Sequence, residues 1–256
     1  MKSLNDILGY KNRKIYQDDE CFSFSLDSVI LANFVTLNKK INNILDLGTG
    51  NGVIPLILSL RTKKNIIGIE IQEKLSLLAQ ESVDYNELDD QINIINCDMK
   101  KFVFNKTINS FDVITCNPPY FKFNDSKFVN NSKEKMIARH EICIKLEEIL
   151  DISKKLLKDG GRLAMVLRTD RFLEVVDLFR KYKIEPKRIS FIYEKEKKQS
   201  ILFFIEGVKM GKSGLIVENP FILYNNDGSY TEMYNKLISE VNLWVRKVMM
   251  ILQVYI

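Results

Sequence analysis

The chain is poor in the residues that most often carry metal sites and nucleophilic catalysis. It contains one histidine and four cysteines, and no two cysteines form a C-x-x-C pair. A zinc site or a Ser-His-Asp triad needs more imidazole and thiolate groups than this, so we expect neither. Cys97 and Cys116 end apolar runs and are typical of small buried residues. We therefore expect no bound metal, and reduced thiols in the cytoplasm.

Long apolar segments are also missing. The beginning of the chain lacks the charged and apolar regions of a signal peptide. The apolar residues 248–256 are too few for a membrane span, which takes about 20 residues. These features predict a cytoplasmic protein that has no membrane partner.

The composition is that of an ordinary globular protein, because 46% of the residues are hydrophobic and 28% are charged. The 256 residues suffice for one substantial core, or one core with a small appendage. A net charge of +5 modestly favours a polyanionic partner. An AT-rich genome would produce the same lysine-rich composition, so the charge alone does not identify that partner.

A glycine-rich turn with the sequence D-L-G-T-G-N-G occupies residues 46–52. A strand-like run precedes it and an apolar, helix-like run follows it, which predicts a strand, a tight turn and a buried helix. Glycines at such a turn let a ligand approach the backbone closely. The spacing is G-x-G-x-G, which differs from the G-x-G-x-x-G of a dinucleotide site.

Polar residues end the strands that follow. Glu70 ends the second predicted strand, 18 residues after Gly52, and Asp98 follows the third. In a parallel sheet these groups converge on the carboxyl edge, where ligands bind in α/β folds. Asp46 and Asn117 end two further strands of the same predicted sheet. The pattern therefore predicts one ligand site at this edge.

The motif Asn117-Pro118-Pro119-Tyr120 follows the fourth apolar run. Two prolines fix φ at two residues and remove two backbone donors. A residue before proline is also restricted to extended conformations. The motif therefore holds an amide side chain, carbonyl oxygens and an aromatic ring at fixed places around one spot.

In combination, these motifs resemble the class I S-adenosylmethionine-dependent methyltransferases, in the amino-methylating branch marked by N-P-P-Y. The resemblance covers roughly residues 26–206. It implies a Rossmann-like α/β fold whose sheet is mostly parallel with an antiparallel terminal strand, with helices on both faces. It also implies S-adenosyl-L-methionine as the cofactor.

The resemblance further implies roles for individual residues. In that family the glycine motif contacts the methionine part of the cofactor, the second-strand acid binds the ribose hydroxyls, and the acid after the third strand approaches the adenine amino group. The cofactor-binding residues expected by position are Asp46, Gly48, Gly50, Glu70, Ile71, Cys97, Asp98 and Asn117. Two structural roles stay open as alternatives to cofactor binding: a helix-capping carboxylate for Asp98 and a solvated strand-end acid for Glu70.

The expected catalytic residues are Asn117, Pro118, Pro119 and Tyr120. The lone pair of an exocyclic adenine amine is delocalised into the ring, which makes it a poor nucleophile. The Asn117 side-chain oxygen and the Pro118 carbonyl can accept its two hydrogens and aim the lone pair. Tyr120 can stack on the flipped base, a contact that contributes roughly 1–3 kcal/mol.

Outer segments look like the tRNA (adenine-37-N6)-methyltransferases that act on a valine tRNA. These segments are residues 9–17, 22–32, 138–141 and 223–231. The resemblance implies the anticodon stem-loop as the partner and N6 of adenine 37 as the target. Because the sequence has no internal repeat and no long linker, we expect one methyltransferase domain over residues 26–256, preceded by an RNA-contacting appendage at residues 1–25. The residues from about 241 onward match no pattern of the family, so the resemblance implies nothing for them.

Basic and aromatic residues alternate near the amino terminus and after the proposed active site, a mixture suited to phosphate contact and base stacking. The expected RNA-binding residues are Tyr10, Lys11, Arg13, Lys14, Lys122, Lys133 and Arg139. A solvated basic loop is the bland alternative for the second group.

Other substrates remain open at this point. A release-factor glutamine N5-methyltransferase also uses N-P-P-Y, although such enzymes carry a sizeable helical domain before the glycine motif. Adenine N6-methylation of another RNA or of DNA is a further alternative. A cofactor-binding RNA-binding protein without turnover would keep the same fold, and the intact N-P-P-Y motif speaks against it.

Overall fold

The computed structural model describes residues 1–8, 10–21, 24–104, 108–118 and 144–239. The apolar end of the chain, at residues 248–256, lies outside them. The predicted site residues Pro119, Tyr120, Lys122, Lys133 and Arg139 and the side chain of Lys11 also lie outside what the structure describes.

Within the described residues, strands and short helices alternate. Strands β1 to β11 span Lys2–Ile7, Tyr10–Asp18, Asn43–Leu47, Asn65–Glu70, Ile92–Asn96, Phe111–Cys116, Leu157–Arg168, Ile184–Tyr193, Ser200–Lys209, Ile216–Val217 and Phe221–Ile222. Helices α1 to α7 span Leu26–Phe34, Val53–Arg61, Glu73–Tyr85, Met99–Phe104, Leu146–Leu156, Phe172–Lys181 and Glu232–Ser239.

The large sheet has the strand order β10-β8-β9-β7-β6-β3-β4-β5, and β11 also pairs with β8. Strand β9 is antiparallel to both β7 and β8. The neighbouring strands β7, β6, β3, β4 and β5 pair in parallel. The predicted fold class is confirmed, with one detail of placement: the antiparallel strand β9 lies between β7 and β8 and not at the edge of the sheet.

Apolar side chains cover both faces of this sheet, because successive strand residues point to opposite sides. On β3, Ile44 belongs to a buried cluster with α1 and α2, whereas Leu45 and Leu47 belong to a second cluster with α5 and α6. The helices therefore lie on both faces, as the sequence predicts. None of the helices in the described parts of the chain is long and apolar enough to cross a bilayer.

The first two strands form a separate antiparallel hairpin, β1–β2. This hairpin is packed against the main domain. The Tyr16 amide donates to Ser82 Oγ on α3 at 2.9 Å, and Asn86 Nδ2 donates to the Lys14 carbonyl at 2.7 Å. Ile15 of the hairpin is fully buried in the cluster with α1 and α2. The predicted appendage therefore shares the core of the domain that it precedes.

Candidate active site

The glycine-rich turn between β3 and α2 has left-handed backbone at three positions. Gly48, Gly50 and Gly52 have φ values of +70°, +59° and +88°. A Cβ atom built on Gly48 or Gly50 would meet nothing within 4 Å, so this part of the turn borders open space. A Cβ atom on Gly52 would lie 3.2 Å from the Ala79 Cβ atom, so Gly52 allows α3 to pack closely. The turn can therefore admit a ligand to its backbone.

Glu70, at the end of β4, braces this turn. Its Oε2 accepts a hydrogen bond from the Gly50 amide at 2.9 Å, and its Oε1 accepts one from the Gln72 amide at 2.9 Å. The side chain is buried, and burial raises its pKa although the amide bonds act in the opposite direction. The alternative of a solvated strand-end acid is thus wrong. The Ile71 amide and the Gln72 side chain also act on the carboxylate by hydrogen bonding, so a ligand hydroxyl that binds Glu70 shares it with these donors.

Asp46, at the end of β3, is fully buried. Its Oδ1 accepts a hydrogen bond from Thr115 Oγ1 on β6 at 2.6 Å. Its Oδ2 and the nearby Thr49 Oγ1 are buried and have no hydrogen-bond partner among the described residues. Burial raises the pKa of Asp46 to about 7; the hydroxyl of Thr115 and the nearby hydroxyl of Thr49, whose geometry is short of a full hydrogen bond, lower it, and the negative charge of Glu70 raises it further. Unsatisfied buried acceptors are costly, so these atoms fit a bound ligand that carries a donor.

The end of β5 contributes Cys97 and Asp98. Asp98 Oδ1 accepts a hydrogen bond from the Lys100 amide at 2.9 Å, which caps the first turn of α4. The capping role is therefore present, and the adenine contact stays a prediction for its remaining acceptor capacity. Burial raises the pKa of the Cys97 thiol, which disfavours a nucleophilic role. Ile71, after β4, is 45% exposed and offers an apolar surface at the same edge.

Asn117 follows β6 directly, and a hydrogen bond to helix α1 fixes its side chain. Nδ2 donates a hydrogen bond to Ser28 Oγ on α1 at 2.8 Å. Ser28 and Pro118 are both buried, whereas Asn117 is half-buried. The described half of the N-P-P-Y motif is therefore fixed both by its own backbone and by α1.

The four strand ends lie level with one another. Leu47 pairs with Cys116 on one side and with Ile69 on the other, and Glu70 pairs with Asn96. The strands are parallel, so the side chains that follow these positions lie along one edge of the sheet. The predicted convergence of the strand-end polar residues on the carboxyl edge is confirmed.

Of the RNA-binding residues predicted near the amino terminus, one is buried in the core. Tyr10 is only 3% exposed, and its hydroxyl accepts a hydrogen bond from Asn33 Nδ2 at 2.6 Å. This burial contradicts the base-stacking role predicted for Tyr10, because its ring belongs to the core. Arg13 Nε donates to Ser59 Oγ at 3.3 Å, and Lys14 Nζ pairs with an Asp6 carboxylate oxygen at 2.7 Å. For Arg13 and Lys14, RNA contact stays a prediction.

Two residues of the site are not anticipated by the motifs. Thr115 bonds the buried carboxylate of Asp46, and Ser28 bonds the amide of Asn117. A polar residue within the apolar run of β6 is a signal that points to Thr115. Nothing in the sequence separates Ser28 from other serines, since its role depends on α1 lying next to β6.

Four features together define a class I methyltransferase site. They are a mostly parallel sheet, an open glycine turn after its first strand, a buried acid after its second strand and N-P-P after its fourth strand. S-adenosylmethionine is the methyl donor of this class. The open space beside the glycine turn and the unpaired acceptor atoms of Asp46 and Thr49 fit such a group.

Comparisons with known proteins agree with this class. A family model described as "Methyltransferase domain" matches residues 38–202. A protein of Bacteroides thetaiotaomicron named tRNA1(Val) (adenine(37)-N6)-methyltransferase is 32% identical over 65% of this chain and 68% of its own length. A protein of the same name from Flavobacterium psychrophilum is 26% identical over 77% of this chain and 85% of its own length.

Solved structures show the same fold. A predicted O-methyltransferase from Agrobacterium tumefaciens superposes with a TM-score of 0.64 at 18% identity, over 82% of this chain and 94% of that one. P. horikoshii TYW2 in complex with MeSAdo has a TM-score of 0.58 at 15% identity, over 82% of this chain and 72% of that one. The chain belongs to the family of the tRNA1(Val) (adenine(37)-N6)-methyltransferases.

Proposed function

We propose that this protein transfers the methyl group of S-adenosyl-L-methionine to the exocyclic N6 of adenine 37 in the anticodon loop of a valine tRNA. The names of its relatives support the substrate, and the site supports the chemistry. The observation that carries the proposal is the Asn117 amide at the end of β6, at the same sheet edge as the glycine turn and held by Ser28.

The hydrogen bond to Ser28 gives the Asn117 amide a direction. Because Nδ2 donates to Ser28, the amide oxygen lies on the other branch of the planar group. That oxygen and the Pro118 carbonyl accept the two hydrogens of the target amine. Both bonds favour a pyramidal nitrogen, whose lone pair becomes available for attack.

The bound cofactor supplies a methyl group on a positively charged sulfur. The protein contributes mainly alignment, which in well-oriented systems accounts for about 7–11 kcal/mol of the barrier. No strong base is required, because the amine proton becomes acidic only as the methyl group transfers. The single histidine of the chain, which lies outside the described residues, is not needed in this scheme.

The glycine turn and the strand-end acids hold the cofactor in this proposal. Asp46 and Thr49 offer buried acceptors to its ammonium group, and the open backbone at Gly48 and Gly50 allows close approach. Glu70 accepts the ribose hydroxyls while it braces the turn. The apolar surface of Ile71 and the polar end of β5 then border the adenine ring.

The test is incubation with methyl-labelled cofactor and total tRNA that lacks the modification, followed by nucleoside mass spectrometry. We expect labelled N6-methyladenosine that maps to position 37 of a valine tRNA. A chelator should leave the rate unchanged, because we propose no metal in the reaction. Transfer to a release-factor peptide, with no label in RNA, would overturn the proposal in favour of glutamine methylation.

A further inference from the structure

The sheet edge that carries Asn117 extends beyond β6. Strand β8 runs in the direction of β6, since antiparallel β9 lies between β7 and β8. The Leu223 amide donates to the Tyr193 carbonyl at 2.9 Å, and the Tyr224 amide donates to the Glu194 carbonyl at 2.9 Å. The residues that follow β11 therefore lie on the edge of the candidate active site. They are four strand positions from β6, because β11 lies on the outer side of β8, or roughly 19 Å at about 4.8 Å per strand.

A preformed turn occupies this position, and we call residues 224–231 the tyrosine turn. The ring centroids of Tyr224 and Tyr230 lie 5.0 Å apart, and those of Tyr230 and Tyr234 lie 4.0 Å apart with nearly parallel planes. Asn225 Nδ2 donates to the Tyr230 carbonyl at 3.2 Å. Tyr230 is nevertheless 45% exposed. The turn is therefore held in shape by its own contacts while one of its rings remains accessible.

Basic side chains lie between the tyrosine turn and Asn117. Lys197 and Lys198, in the turn between β8 and β9, are exposed and have no ion-pair partner among the described residues. The Arg168 side chain, at the end of β7, is 55% exposed and meets only the Asp170 carboxylate at 3.4 Å in the described structure. These cations lie on the line along which an extended strand of RNA would approach the active site.

A cavity of about 350 Å³ lies next to the tyrosine turn, lined in part by Tyr224, Asn226, Asp227 and Glu196. The Asn226 side chain is exposed and has no hydrogen-bond partner among the described residues. Carboxylates in this cavity disfavour a phosphate inside it. Amide and carboxylate groups are instead the ones that bond the edges of unpaired bases.

We propose that the tyrosine turn and the lysines of the β8–β9 turn hold the unpaired nucleotides that flank the target adenine. This inference rests on the proposed function. Lys197, Lys198 and Arg168 contact the phosphates, and the cavity beside Asn226 accepts a neighbouring base. Recognition of single-stranded RNA combines these two kinds of contact. The active edge is thereby divided into a methyl-donor half at β3–β6 and an RNA-holding half at β7–β11.

Charge reversal with a matched control tests this surface on the full chain. The double variant Lys197→Glu/Lys198→Glu removes two cations from the active edge. The control Lys39→Glu/Lys40→Glu removes two exposed lysines that have no ion-pair partner in the described parts of the chain, at the opposite edge just before β3, with the same change in net charge. Asn226→Ala tests the cavity without a change in charge. The probe is a synthetic anticodon stem-loop with adenine at position 37, titrated over a range of salt concentrations.

We expect the Lys197/Lys198 variant to bind the stem-loop about tenfold more weakly, with a salt slope shallower by about 1.4, since each single-strand phosphate contact contributes about 0.7. Asn226→Ala should raise the Kd about threefold, and the control pair should leave affinity and slope near those of the wild type. Cofactor affinity, measured by calorimetry, should be unchanged in every variant. Equal losses in the control and test pairs, or no loss in the test pair, would overturn the inference. The proposed function is tested separately: it fails if the wild-type protein methylates no tRNA, whatever the binding results.

Discussion

Asn117 and Ser28, 89 positions apart in the chain, meet through a hydrogen bond of 2.8 Å from the amide nitrogen to the serine hydroxyl. The bond joins the end of β6 to α1, so a helix outside the parallel strand repeat fixes the amide that, in the proposed mechanism, orients the substrate amine. Ser28 is thus a positioning residue for the proposed reaction, since it acts through Asn117. The strand and the helix must pack correctly for the amide to keep its direction.

We predict that Asn117→Ala abolishes methyl transfer, with a loss of at least about a hundredfold, while cofactor binding survives, because Asn117 is expected to orient the amine and to contact the cofactor only slightly. The amide orients the amine in the proposed mechanism, and lost alignment lowers kcat steeply. Transfer to tRNA and cofactor binding by calorimetry are both measured, with Asn93→Ala, an exposed residue on β5, as the control. Turnover at the wild-type rate in Asn117→Ala would end the amine-orienting role.

Ser28→Ala should lower kcat about tenfold and leave the KM for tRNA and the cofactor affinity unchanged, because the amide loses its direction while both ligands keep their contacts. Ser28→Thr keeps the hydroxyl and should restore most of the rate. Steady-state kinetics and thermal unfolding are compared for the three proteins. If Ser28→Thr is as slow as Ser28→Ala, or if kcat does not change, Ser28 serves packing alone.

Glu70→Ala should weaken cofactor binding at least about tenfold. The carboxylate braces the glycine turn through Gly50 and, in the proposal, accepts the ribose hydroxyls. Calorimetry measures the affinity, and Glu73→Ala, an exposed acid at the start of α3, is the matched control. An affinity that is equal in wild type and Glu70→Ala would remove Glu70 from the site.

Asp46 links stability to pH in the cofactor-free protein. Burial raises its pKa to about 7, so its contribution to stability is greatest below the unfolded pKa, near 3.9, and is lost as the pH rises through 7. Asp46→Asn should therefore raise the melting temperature by an amount that grows between pH 4 and 7. The corresponding gain in unfolding free energy is on the order of 2–4 kcal/mol.

Thermal unfolding of both proteins across this pH range measures the effect, and calorimetry should show weaker cofactor binding by Asp46→Asn. A melting-temperature difference that is the same at pH 4 and pH 8 would contradict the raised pKa. In that case ionisation of Asp46 would not contribute to the pH dependence of stability.

The strand-end residues could be predicted from the sequence because two kinds of local signal coincide at them. An apolar run fixes a strand, and the residue after it must lie at the carboxyl edge when neighbouring strands are parallel. Asn117 directly follows β6, Glu70 is the last residue of β4, and Asp46 and Asp98 lie within two positions of the ends of β3 and β5, so all four lie at this edge. The bond from Gly50 to Glu70 could not be predicted, since it depends on how far the turn folds back over β4.

Tyr10 shows where the sequence misleads. Alternating aromatic and basic residues predict an RNA-contacting strand, but the pattern does not say which side of the hairpin meets the core. Packing on α1 decides this, and Asn33 donates a hydrogen bond to the Tyr10 hydroxyl.

Strand β7 is a second case in which local sequence signals mislead. It begins at Leu157 and includes Gly160 and Gly161, which are typical of a turn. Its pairing with β6 through a bulge accommodates them.

The order of the strands has a consequence for how enzymes of this kind can diverge. The strands that carry the glycine turn, the buried acids and Asn117 come from one continuous stretch, residues 43–117, whereas β8 to β11 come from the last part of the described chain. If β8 to β11 hold the RNA, as inferred above, a substitution, insertion or exchange of segments in that last part alters RNA recognition and leaves the cofactor site in place. Related enzymes that keep the same cofactor site can thus acquire new RNA targets through changes confined to β8 to β11.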